Sequence, residues 1–156
     1  GISGYSGISG YSGISGYSGI SGYSGYSGIS GYSGTTSGIT RSINFVIDGG
    51  GSVITTGTKG FLVIDTASTV NSWTVLADQS GSVVVDVLKS TYAGFPTTTS
   101  MGSAYKPTLS SAQKNFSGSL SAWTTTSIAA GDILEFNVNS ATTVTRVTVD
   151  LKVTTV

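Results

Sequence analysis

The chain has 156 residues, with seven basic and seven acidic side chains, no cysteine and no histidine. Sparse, balanced charge excludes the clustered Lys and Arg of a nucleic-acid surface and a basic patch for an anionic membrane. The missing Cys and His remove disulfides, thiolate metal sites, the commonest general base and the commonest zinc ligand, and no apolar run approaches the roughly 20 residues that insert in a bilayer as a helix.

Residues 1–34 contain only Gly, Ile, Ser and Tyr, in eleven unbroken Gly-Ile-Ser or Gly-Tyr-Ser triplets followed by Gly34. Four arrangements compete: a hexapeptide β-helix, a glycine-edged triplet helix, a Gly/Ser-rich disordered linker, and a silk- or amyloid-like segment. The chain carries its own test. Two Gly-Tyr-Ser triplets follow one another at Gly22–Ser27, so the Ile/Tyr alternation slips by three residues. The glycine phase does not slip: Gly1, Gly4, Gly7, Gly10, Gly13, Gly16, Gly19, Gly22, Gly25, Gly28, Gly31 and Gly34 keep one period. A hexad solenoid would place Tyr26 where its inward Ile belongs, and a linker has no reason to hold the phase.

A polyproline-II helix has three residues per turn, so the triplet aligns every glycine on one edge. Three such chains pack around a common axis only where no Cβ intervenes, which is the collagen-like triple helix. At about 3.1 Å per residue, residues 1–34 would form a rod of roughly 105 Å. The repeat lacks the proline that pre-sets φ and reduces the entropy lost on ordering. An isolated stalk of this length is therefore expected to be unstable without something that holds its chains in register. A bundle of polyglycine-II helices is the alternative geometry. The chain starts at Gly within the repeat rather than at Met, and no signal peptide is visible; both suggest a fragment or processed form with more repeats upstream. Residues 35–41 read as a linker and 42–156 as a head domain.

From Ser42 the period changes to two. Ile43, Phe45 and Ile47 alternate with Asn44, Val46 and Asp48; Leu134, Phe136 and Val138 with Glu135 and Asn137; Val147, Val149, Leu151 and Val153 with Thr148, Asp150 and Lys152. These patterns predict half-buried antiparallel strands. The expected strands are 42–48, 52–56, 60–66, 70–77, 82–89, 111–117, 132–139 and 142–155, with turns at Gly49-Gly50-Gly51, Gly57, Gln79-Ser80-Gly81 and Ala130-Gly131-Asp132. Even spacing and Gly-rich turns suggest an all-β, two-sheet jelly roll. The segment 90–110 holds both prolines and reads as a loop crossing one end of the sandwich. Residues 61–64 and 83–88 are apolar on both faces, which calls for a covering loop or a partner subunit.

The Gly-X-Ser tract, followed by INFVIDGGGSVITTGTKGFLVI, VLADQSGSVVVDVLKSTYAGFP and SIAAGDILEFNVNSATTVTRVTVDLKV, resembles collagen-like fibre proteins of tailed phages and environmental genomes, which end in a jelly-roll head. The resemblance spans nearly the whole chain and implies a homotrimer acting as a virion fibre or extracellular surface appendage. It identifies no ligand. The alternatives are a secreted subunit that polymerises into an extracellular filament, and a carbohydrate-binding adhesin head on a spacer stalk.

Candidate sites are few. Asp48, Asp78 and Asp132 adjoin predicted glycine turns, where Asp caps the chain. No serine is paired with a base, and neither DGGGS nor AGD has the dense acidic spacing of a calcium loop. No enzymatic activity, cofactor or metal is therefore expected. Trp73 falls in strand alternation with Val75 and Ala77 and reads as core. Tyr92, Phe95 and Tyr105 lie in the long loop and are the candidate ligand or interface residues, suited to stacking on a cell-surface glycan or filling a subunit contact.

Overall fold

The structure, a computed structural model, describes residues 38–156; the Gly-X-Ser stalk, its axial glycines and linker residues 35–37 lie outside the described residues. Among the described residues there are eight strands and no helix: β1 (Thr40–Asp48), β2 (Gly57–Val63), β3 (Ser68–Ser90), β4 (Thr99–Ser100), β5 (Thr108–Ser117), β6 (Ser127–Ile128), β7 (Ile133–Thr142) and β8 (Arg146–Thr155). All pairings are antiparallel and belong to one curled sheet.

The 23-residue β3 organises the fold. Its first half, Ser68–Ala77, pairs with β8, and its second half, Ser82–Ser90, pairs with β7. On its other side β5 follows it across both halves. The order β1-β8-β3-β7-β2 therefore runs from one half of the sheet, through the shared strand, into the other. The period of two decides what lies between the halves. Val75, Val149 and Leu151 from one and Val83, Val85, Val87 and Phe136 from the other join a single buried cluster. Phe45 of β1 stacks flat on Phe136 of β7, with ring centroids 4.3 Å apart. The curl thus brings the end strands β1 and β2 close together, yet among the described residues β1 pairs only with β8 and β2 only with β7.

Three differences from the sequence reading have physical causes. The expected strands 70–77 and 82–89 are one strand, because Asp78–Gly81 carries the bend without reversing the chain. Gly81 makes that bend feasible: a Cβ there would lie 2.6 Å from the Thr142 carbonyl oxygen and 2.8 Å from Val144 Cγ1. Residues 52–56 are not a strand; Ile54 is buried and its N–H donates to the Val144 carbonyl at 3.0 Å, while Gly50 and Gly51 turn the chain with φ of 67° and 86°. The last expected strand is divided into the end of β7 and all of β8 by a turn in which Thr143 has φ of 73°.

Within the segment 91–107, β4 extends the sheet along the edge of β3 at Leu88 and Lys89, and side chains on either side of it tie the segment to the outer face of the β3–β7 half. Outward-facing Asp86 accepts from Ser100 Oγ at 2.6 Å and pairs with Lys106 Nζ at 2.8 Å. Outward-facing Glu135 accepts from Thr98 Oγ1 at 2.6 Å, and Met101 reaches the core. The doubly apolar run 83–88 is thereby covered from within the chain. It supplies no argument for a partner subunit, leaving only the 61–64 run, where Phe61 and Val63 remain exposed.

Candidate functional site

The three loop aromatics are all accessible: Tyr92 is 81%, Phe95 41% and Tyr105 63% exposed. They do not form one site. Phe95 meets Phe61 of β2 edge-on, with centroids 5.1 Å apart and planes at 86°, a favoured aromatic geometry. Val63, 62% exposed, follows on the same outward parity of β2. Tyr105 lies elsewhere. Its carbonyl accepts the indole N–H of Trp123 at 2.7 Å, and its side chain borders a hollow of about 270 Å³ with Trp73, Lys106, Ser117 and Trp123. Trp73 and Trp123 are themselves buried and belong to the core, as expected for Trp73. Phe61 escaped the sequence reading because strand alternation marks it only as outward; its meeting with Phe95 is set by the path of the loop.

The carboxylates are engaged chiefly in fastening turns. Asp48 Oδ1 accepts the Gly50 N–H at 2.7 Å, and Oδ2 pairs with Arg146 at 2.8 Å. The Gly50 N–H first, and the Arg146 guanidinium second, hold the Asp48 carboxyl below the ordinary carboxylate value. Asp132 accepts the Ala129 N–H at 2.8 Å and faces Lys89 Nζ at 3.4 Å. Glu135 is held by Thr58 and Thr98.

Asp78 has the strongest electrostatic signature. Its carboxylate accepts the Thr145 hydroxyl, the Arg146 N–H at 3.0 Å and the Thr145 N–H at 3.1 Å. It thereby ties the β7–β8 turn to the bend of β3. The Thr145 hydroxyl first, then the backbone donors, lower its pKa from 3.8 to about 2. A depressed pKa contributes stability that is fully present above 3.8 and is lost as pH falls toward about 2. Acid titration of the head followed by tryptophan fluorescence should therefore show a loss of stability in that window. Asp78→Asn should flatten the loss, and an unchanged acid limb would contradict the role assigned to Asp78.

A third feature is an open groove of about 290 Å³ between β1 and β2, the two ends of the sheet among the described residues, lined by Ile43, Leu62, Val63 and Val153, with Arg41 and Asp65 on its border. Arg41 and Asp65 have no ion pair or side-chain hydrogen bond among the described residues. Strand patterning shows Ile43 and Leu62 as core-facing but cannot show that the curl stops short of closing over them.

No protein-family model, no curated protein and no solved structure matches the chain.

Proposed function

We propose that this chain is a non-enzymatic, structural fibre protein: three chains whose Gly-X-Ser tracts form a collagen-like stalk capped by a homotrimeric jelly-roll β-sandwich head, serving as a phage virion fibre or an extracellular surface appendage. The observation that carries the proposal is the glycine phase of residues 1–34, which survives the doubled Gly-Tyr-Ser at Gly22–Ser27. Only an assembly with no space for a Cβ at every third residue has reason to preserve it. The all-β, antiparallel head is compatible with this role. Its first strand begins at Thr40, and the chain just before it is tied down: the Gly38 N–H donates to the Thr155 carbonyl at 2.7 Å, and the Thr155 N–H to the Ile39 carbonyl at 2.9 Å. A firmly held head compensates for a proline-free stalk, because it raises the local concentration of the repeats and sets their register.

The test compares two neighbouring substitutions in the full-length assembly. Gly16→Ala places a methyl group on the glycine edge and should open the repeat to protease locally. Tyr17→Ala lies on the outward side and should leave digestion close to that of the unsubstituted protein. Equal sensitivity of the two variants would mean a flexible linker and would overturn the fibre reading.

A further inference from the structure

We propose that the groove between the β1 and β2 edges is where a second copy of this chain docks, with Arg41 of one copy paired to Asp65 of the next around a three-fold axis. The inference rests on the trimeric reading above and adds the face and the residues through which the heads meet.

Three observations converge on this face. The first is reach. Three repeats packed along their glycine edges bring three copies of Gly34 together at the axis. Arg41 lies seven residues after Gly34, a span of at most about 25 Å even when fully extended. In such a trimer the start of β1 lies within that reach of its own chain's Gly34, and the groove opens beside the start of β1, bordered by Arg41 and Ile43.

The second is unsatisfied surface. The sheet order ends at β1 and β2, so each has one edge without a strand partner among the described residues. Native sheets normally cover, charge or twist away such edges. Here Ile43 and Leu62 line the gap, and Val63 stands exposed at its lip. The outer face of the neighbouring β3–β7 half, by contrast, is covered by the chain's own loop through Asp86 and Glu135.

The third is charge complementarity. Arg41 stands on the β1 wall and Asp65 just after the β2 wall, and neither has an ionic partner among the described residues. A cyclic trimer joins its copies by heterologous contacts, in which one surface of a subunit meets a different surface of the next. With the axis alongside the groove, the β1 wall of one copy faces the β2 wall of its neighbour, and the two unpaired charges become a cross-subunit pair. Such a pair fixes register and disfavours wrong partners.

Sedimentation of the full-length chain at micromolar concentration reads the outcome. The unsubstituted protein should have trimer mass. Val63→Arg, which adds a charge at the exposed lip, should reduce it to monomer. Arg41→Asp and Asp65→Arg should each raise the concentration needed for assembly by about ten-fold or more, and the double swap should restore it. That rescue separates a pairing effect from a folding defect, which a second substitution would not repair. Phe116→Arg, on an exposed position of β5 away from the groove, should keep trimer mass. If the unsubstituted chain is a monomer, the trimeric reading and this interface fall together. If it is a trimer that Val63→Arg or either charge reversal leaves intact, or that Phe116→Arg dissociates, the trimer stands and the interface is overturned. A Val63→Arg trimer whose repeat becomes protease-sensitive would mean that the groove holds the chain's own repeat instead of a second copy, and would likewise overturn the inference.

Discussion

Phe136→Ala should destabilise the head by about 3–5 kcal/mol, the cost of emptying a large aromatic site in a packed core. Phe136 is fully buried, and its ring lies flat against Phe45 at 4.3 Å. It is paired in register with Val87 of β3 on one side and Gly60 of β2 on the other. Gly60 leaves space for Phe45, since a Cβ there would sit 2.8 Å from Phe45 Cζ. The stack therefore joins β1 of one half of the sheet to β7 of the other, near the two ends that no backbone ladder connects among the described residues. Without the Phe136 ring, Phe45 has a void beneath it, and the halves lose a main contact between their open ends. Urea unfolding at fixed protein concentration should show a lower midpoint with little change in slope. Phe116→Ala provides the comparison: it is exposed and should change stability by no more than about 0.5 kcal/mol. Similar losses for the two variants would contradict the packing role of Phe136.

Lys106→Met should cost about 3 kcal/mol, the lower end for breaking a buried ion pair, because the lysine end is partly solvated. Its partner Asp86 is nearly inaccessible and, among the described residues, keeps only the Ser100 hydroxyl once the ammonium is gone. The carboxylate is then desolvated without its counter-charge, which is where the penalty arises. The variant should also loosen the 91–107 segment from β3, so chymotryptic cleavage at exposed Tyr92 should quicken. Combining Lys106→Met with Asp86→Leu should recover most of the lost stability, since an apolar pair of similar size needs no compensation. A double variant as weak as the single one would mean that Lys106 acts through its aliphatic stem rather than its charge.

Much of the head was legible wherever one face of a strand is dry and the other wet. Ile43, Phe45 and Ile47 in β1, and Val147, Val149, Leu151 and Val153 in β8, show the period of two and pack as that period requires. Legibility failed where local chemistry and tertiary context disagree. Asp78-Gln79-Ser80-Gly81 has the residues of a turn, yet the chain continues as β3, because Gly81 is needed for the close approach of Thr142 and Asp78 for holding Thr145. The run at 52–56 has β-branched residues, but only Ile54 and Ile47 beside it find the core, and the glycines before it take up the turn.

The surface features depended on non-local geometry even more strongly. Tyr92, Phe95 and Tyr105 could be chosen from sequence because aromatics in a Pro-containing loop stand out. The separation of Tyr105 from the Phe61–Phe95 pair could not, since it depends on Ser100 and Lys106 tethering the middle and end of the loop to Asp86. Arg41 and Asp65 are unremarkable in sequence. They border one groove only because the sheet curls far enough to bring its ends together without closing.

The pairing of β1 with β8 also sets the order of events during synthesis. Thr40 is opposite Thr154, so among the described residues the first strand of the head finds its only ladder partner in the last. Among the described strands, translation delivers β1 before the others and β8 after them. At about 5–20 residues per second, β1 waits on the order of ten seconds for the strand that completes it. The described head cannot close on the ribosome before β8 emerges. Nearly all of the head must therefore leave the ribosome before its first strand is paired, so its closure follows rather than accompanies the synthesis of residues 40–155.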